Sequence, residues 1–219
     1  MGIDSEIASE KRMPIVSTRG IRMIARHKLP FVAMAFLLLS LAGCKVDSIN
    51  PISPLESAQP DPTLYGAWRY KAKGELTYVH IGPEFSLATS GAAPAPNKRT
   101  KIILIDYKPN GITDESYIAY ASRIGTHRYL NVAQVEDGKT IGYIFVRYAL
   151  TDNNTLRFST IDEDVLKAAI SSGQIKGTTR GDGVTSETAI TAQSGEIEQY
   201  LRRDGAKLFT KSLALTRVQ

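Results

Sequence analysis

A single cysteine, Cys44, stands in 219 residues, so no intrachain disulfide can form and stability must come from a hydrophobic core. Histidine is almost as scarce. His80 and His127 are the only two beyond residue 43, and neither has a Cys or another His at metal-ligand spacing. There is no Gly-x-Ser-x-Gly elbow and no Gly-x-x-x-x-Gly-Lys loop, so the signatures of a hydrolase nucleophile and of a phosphate cradle are missing. No apolar run reaches the roughly 20 residues that a membrane-spanning helix needs. The longest, 31–43, has Pro30 at its entrance, a poor place for a helix to pass through. Charge of one sign is lacking as well. Residues 1–43 hold six Lys/Arg and three Asp/Glu, leaving 21 basic and 19 acidic residues in the rest of the chain. That balance gives no basic footprint for nucleic acid. The sequence thus assigns no catalytic, cofactor-binding or metal-ligating residue.

What is present begins with a three-part leader. Arg22, Arg26 and Lys28 precede the apolar stretch from Phe31 to Leu41, and small residues lead into the cysteine, the layout of a secretory signal. Leu41-Ala42-Gly43-Cys44 resembles the lipobox of bacterial lipoprotein precursors. The resemblance implies cleavage after residue 43, a diacylglyceryl group on Cys44 and a membrane-anchored, cell-envelope protein. Met23 is an alternative start, giving a shorter leader with the same charges. Lys45 in place of Asp, by the same resemblance, favours the outer membrane, with the domain facing the periplasm.

Residues 44–63 carry Pro51, Pro54, Pro60 and Pro62 among Ser, Asn and Asp, which reads as an extended tether able to hold a domain up to about 50 Å from the bilayer. The remaining 64–219 are enough for one core and one domain. From Trp68 on, the chain reads as short strands rich in β-branched and aromatic residues: 68–71, 76–81, 85–88, 101–107, 117–124, 129–135, 141–150 and 156–161. A loop is expected over 89–97. Asn110-Gly111 and Asp137-Gly138 favour the positive φ of tight hairpins, so sequential strands should pair as an antiparallel meander.

Asp162-Glu163-Asp164 opens a short amphipathic helix with Val165, Leu166, Ala169 and Ile170 on one face and Gly173 as its stop. A mobile loop is expected over 176–187, then a short strand near 189–191. Ser194 is the candidate cap of a second helix carrying Ile197, Tyr200 and Leu201, with Gly205 at its end and a last strand over 213–218. In strand 141–150 both faces are mostly apolar, so it should be covered on both sides. The expected fold is mainly β: an antiparallel meander forming a curved sheet or barrel-like calyx, with two short helices near the C-terminus.

Tyr65-Gly66-Ala67-Trp68 resembles the Gly-x-Trp that opens the first strand of lipocalins. That likeness implies a tryptophan plugging the closed end of an eight-stranded barrel and a basic residue over it, for which Arg217 is the match. The domain is also similar to small bacterial envelope lipoproteins without an assigned activity. The aromatic and arginine residues of the central strands are either an ordinary half-buried sheet or the wall of an amphipathic pocket, with Tyr143, Phe145 and Arg147 as candidate ligand-lining residues. The carboxylates at 162–164 are explained by the helix dipole, and His80 and His127 by ordinary sheet and turn positions. The leading expectation is a non-catalytic, lipid-anchored binding protein for an amphipathic small molecule. The alternative is an assembly subunit docking an envelope protein; an envelope hydrolase would require a histidine converging with a serine and a carboxylate.

Overall fold

The computed structural model describes residues 47–72, 75–84, 97–108, 110–181 and 187–219. Cys44, the lipobox and the strand expected over 85–88 lie outside them. Among the described residues, ten strands and two α-helices follow two single 3-10 turns, at Leu55–Ser57 and Pro62–Leu64. Eight strands close an antiparallel barrel: β1 (Gly66–Ala72), β2 (Glu75–Pro83), β3 (Arg99–Lys108), β4 (Gly111–Ile124), β5 (His127–Glu136), β6 (Lys139–Asp152), β7 (Thr155–Thr160) and β10 (Lys211–Arg217). Each pairs with its sequence neighbour, and β10 lies between β7 and β1. Between β7 and β10 the chain inserts α1 (Glu163–Ser171), a two-stranded sheet of β8 (Gly177–Arg180) and β9 (Glu187–Ile190), and α2 (Ser194–Leu208).

Local chemistry accounts for the connections. Asp137 and Gly138 take φ of 50° and 75°, the left-handed pair a two-residue hairpin demands, and they join β5 to β6. Asp162 accepts a hydrogen bond from the Asp164 amide at 3.2 Å and so caps α1. Gly173, with φ of 72°, follows its end. The second helix departs from expectation at both ends. Its cap is Gln193 in a capping box with Glu196, while Ser194 donates to the Pro51 carbonyl at 2.7 Å. Gly205 lies inside the helix, where an added Cβ would meet the Tyr129 hydroxyl at 3.2 Å; the small residue lets the helix sit close on the barrel. The loop expected over 176–187 is partly the β8–β9 hairpin, and 182–186 fall outside the described residues.

Two cores share the wall between them. Inside the barrel, Trp68, Val79, Ile102, Leu104, Leu130, Val146 and Leu156 pack together. Outside it, Tyr129 and Phe145 meet Leu166 of α1, Ile197 and Leu201 of α2, and Ile52. Strand β6 is therefore apolar on both faces for two reasons: Ile144, Val146 and Tyr148 face inward, while Phe145 faces the helices.

The segment read as a free tether is instead fastened along the barrel from Asp47 onward. The Asp47 and Ser48 amides donate to the Tyr143 carbonyl at 2.9 and 3.1 Å, and Ile49 donates to Ile190 at 2.9 Å. Ile52 is fully buried, and its amide donates to Asn131 Oδ1 at 2.7 Å. Proline excludes a segment from a ladder but not from packing, and here single apolar residues between the prolines act as anchors. Ile52, Ala58 and Leu64 are all buried.

Candidate functional site

The barrel is closed at one end and split at the other. At the closed end Trp68 is fully buried, and its indole N–H donates to the Leu64 carbonyl at 2.8 Å. The Arg217 guanidinium lies 4.1 Å from the centre of the Trp68 ring. It also donates to three carbonyls, of Thr63 at 3.0 Å, Tyr65 at 2.9 Å and Asn153 at 3.0 Å. Gly66 makes this geometry feasible: a Cβ there would stand 2.7 Å from Arg217 Nη1, and its φ is 133°. The structure thus brings together the candidate pair Trp68 and Arg217 and adds the glycine two positions earlier.

The split follows from the register. Strands β4 and β5 pair only between 119–124 and 127–132, whereas β3–β4 and β5–β6 continue to their hairpin tips at Lys108↔Gly111 and Glu136↔Lys139. On the other side β1 and β10 share two register pairs, Trp68↔Arg217 and Arg69↔Thr216. Toward the mouth the barrel is therefore two four-stranded halves joined at their base. Between them lies an apolar cleft of about 60 Å³, with Val79, Leu104 and Tyr117 on one half and Val132, Val146 and Phe158 on the other. Small-molecule pockets usually run to about 300–1,000 Å³, so this space has room for only a few methylene-sized groups and excludes a bulky ring system.

A polar band crowns the cleft. Thr77 donates to Asp106 at 2.5 Å, Tyr117 donates to Glu115, and Lys108 lies 3.9 Å from Asp106. Burial, together with the Glu115 carboxylate, pushes the Tyr117 phenol above its ordinary pKa, so it stays protonated as a donor. On the opposite half Gln134 occupies an inward register position, across from Gly142, and its side-chain Nε2 is buried without a partner among the described residues. Such a donor has a standing desolvation cost that a ligand oxygen would relieve. Sequence reasoning missed this band, because Asp106, Glu115 and Gln134 are ordinary strand-end polar residues until the barrel closes.

Tyr143, Phe145 and Arg147, the candidate ligand-lining residues, face the other way. Phe145 is buried in the outer core and Tyr143 packs against it. Arg147 donates to the Phe209 carbonyl at 2.8 Å and stacks over its ring at 5.6 Å, fastening the end of α2. The physical reason is strand parity: the alternate set Ile144, Val146 and Tyr148 lines the interior. His80 is exposed on an outward position of β2, across from Ala67 and Ile103. His127 packs edge-on against Tyr129 at 6.4 Å. Neither histidine faces the cleft.

A second cleft, about 550 Å³, lies near the closed end between the 53–61 segment and the β4–β5 turn. Its anchor is Asp61, which accepts from Thr63, from Arg128 at 3.1 Å and from Tyr148 at 2.8 Å. Burial works against the charge on Asp61, but the hydrogen bonds from Thr63 and Tyr148 and the Arg128 guanidinium outweigh it, lowering the pKa from 3.8. A carboxyl with a depressed folded pKa contributes stability that is fully present above its ordinary pKa and is lost as the pH falls through the lowered value. Denaturant midpoints should therefore drop as the pH is taken below about 4, and Asp61→Asn should be less stable at pH 7 with a visibly shallower acid dependence. An unchanged pH profile in that variant would show that Asp61 plays no part.

No protein-family model matches the chain, and neither a curated protein nor a solved structure is significantly similar to it. The fold itself defines a class: an eight-stranded, up-and-down antiparallel barrel, plugged at one end and open to an apolar cleft at the other.

Proposed function

We propose that this is a lipid-anchored protein of the bacterial envelope whose barrel binds the hydrocarbon part of an amphipathic molecule without converting it. The observation that carries the reading is the apolar cleft beneath a polar mouth. An eight-stranded barrel encloses just enough room for side chains or for one small ligand, and the apolar cleft in the upper part supports the second case. The Asp106 and Glu115 carboxylates disfavour an anionic head and favour one that donates hydrogen bonds, such as a hydroxyl or amine, while Gln134 offers a donor to an ester or amide carbonyl. The lipocalin-like reading gains support from the Trp68–Arg217 stack and from the closed eight-stranded order. The anchor reading rests on the lipobox at Leu41–Cys44, and the outer-membrane, periplasm-facing placement on Lys45.

A slender neutral fluorophore, the methyl ester of the linear polyene parinaric acid, tests the cleft. It should brighten on binding and be displaced by a monoacylglycerol far better than by the corresponding fatty acid. Val146→Trp, which fills the cleft, should lose the signal while keeping the far-UV spectrum of a barrel; Leu104→Trp serves as a second filling variant. Undiminished binding by both folded variants would place the probe elsewhere and remove the cleft from the account.

A further inference from the structure

The fastened segment enters along the mouth-side flank of the barrel. It begins at Asp47 and Ser48, beside Tyr143 in the mouth-side part of β6. From there it descends: Ile52 reaches Asn131, Ser53 bonds Ser122, Asp61 bonds Arg128 and Tyr148, and Leu64 meets the Trp68 plug. The side chain of Asp47 accepts from the Phe145 amide at 3.0 Å, locking the point of entry. Three peptide steps separate Cys44 from Asp47, a reach of at most about 11 Å. A lipid on Cys44 therefore cannot lie far from the mouth-side flank.

Independently, that end is where the exposed large apolar side chains gather. Tyr107 and Ile112 face each other across the β3–β4 hairpin tip and are 41% and 63% exposed; Val135 and Ile141 flank the β5–β6 tip at 58% and 39%. Ile49, 54% exposed, sits beside the point of entry. Of the exposed large apolar residues described, Val218 alone is at the opposite end, beside Ala67. Lys71, Lys108, Lys139 and Lys211 are exposed at the mouth too, but Asp114, Glu136 and Asp137 accompany them, with Asp106 and Glu115 in the polar band. These charges leave no basic surplus, so the apolar tips carry the argument. Side chains of this kind on loop tips leave water for the boundary between headgroups and acyl chains.

We infer that the barrel stands mouth-down on the phospholipid bilayer, with Tyr107, Ile112, Val135 and Ile141 in the interfacial layer, so that the cleft opens directly onto the lipid that holds it. This rests on the reading that Cys44 is lipidated, and it deepens that reading: the bilayer is both the anchor and the source of the cleft's ligand. The split between β4 and β5 lies between the two apolar tips, giving a hydrocarbon chain a lateral way in that need not cross water.

The test uses the full chain, purified from membranes and reconstituted in phosphatidylethanolamine–phosphatidylglycerol vesicles. Ile112→Cys, Val135→Cys and Asn153→Cys each carry an environment-sensitive fluorophore; lipidated Cys44 cannot take label. Labels at 112 and 135 should be quenched several-fold less by aqueous iodide than the label at 153, and several-fold more by spin-labelled lipid. If the protein stays with the vesicles but all three sites respond alike, or the 153 site contacts lipid, the mouth-down orientation is wrong and the anchor survives. Cross-linking of the tips to a protein or to a second copy, in place of lipid, would overturn the orientation in the same way. If the unsubstituted chain takes label at Cys44 and washes off the vesicles, the anchor reading fails and takes the orientation with it.

Discussion

Replacing Trp68 by alanine is expected to cost about 3–5 kcal/mol, enough to leave little of a typical domain's stability. The side chain is fully buried at the base of the barrel, where β1 meets β10 through only two register pairs. Closure of the barrel depends on that contact. The indole fills the space between the halves, satisfies the Leu64 carbonyl and presents its face to Arg217. Removal leaves a cavity, an unpartnered carbonyl and a cation without its aromatic surface. Arg217→Ala should cost less, about 1–3 kcal/mol, because its three carbonyl partners are near enough to solvent to recruit water. Guanidinium unfolding followed by far-UV circular dichroism measures both, and Trp68→Phe/Arg217→Lys gives the coupling. If Trp68→Ala costs under about 1 kcal/mol, the plug is not what closes the barrel.

The second large effect falls on the segment before the barrel. Ile52→Ala should destabilise by about 2–5 kcal/mol, and Asn131→Ala by about 1–3 kcal/mol. Asn131 is fully buried and holds three groups at once: it accepts from the Ile52 amide and donates to the Tyr120 carbonyl at 3.3 Å and to Ser122 Oγ at 2.8 Å. Were the segment a free tether, Ile52→Ala would cost nothing, whereas Asn131→Ala would still lose its two bonds to β4. In the wild type the amides of Ser48, Ile49 and Ile52 should exchange slowly with solvent. In Ile52→Ala they should exchange much faster while β5–β6 amides stay protected, since the barrel does not need the segment to keep its ladder. Fast exchange of those three amides in the wild type would restore the tether.

Much of the barrel is legible in the sequence because its information is local. Asp137-Gly138 fixes the β5–β6 hairpin by backbone conformation, and sequential hairpins leave a meander as the simplest topology. The two-sided apolarity of β6 announces a cover on its outer face, which α1, α2 and the 47–64 segment supply. What cannot be read is non-local. Which face of β6 is inside cannot be decided when Ile144 and Phe145 are equally apolar; the structure packs Tyr143, Phe145 and Arg147, the candidate ligand-lining residues, on the outer core. The docking of 47–64 escapes because its prolines mark the loss of a ladder, whereas its hold comes from isolated anchors such as Ile52 meeting a distant Asn131. Gly205 reads as a stop by its propensity, yet contact with Tyr129 overrides that.

The most direct test of the binding account is native mass spectrometry of the full chain released gently from membranes. Wild-type protein should carry, beyond the covalent mass on Cys44, a non-covalent molecule that dissociates on activation and fragments as an acyl chain on a hydroxyl- or amine-bearing head. Folded Val146→Trp should show the covalent mass alone. A wild-type spectrum with an empty barrel, or an adduct retained equally by the filled variant, would contradict a calyx that holds a lipid.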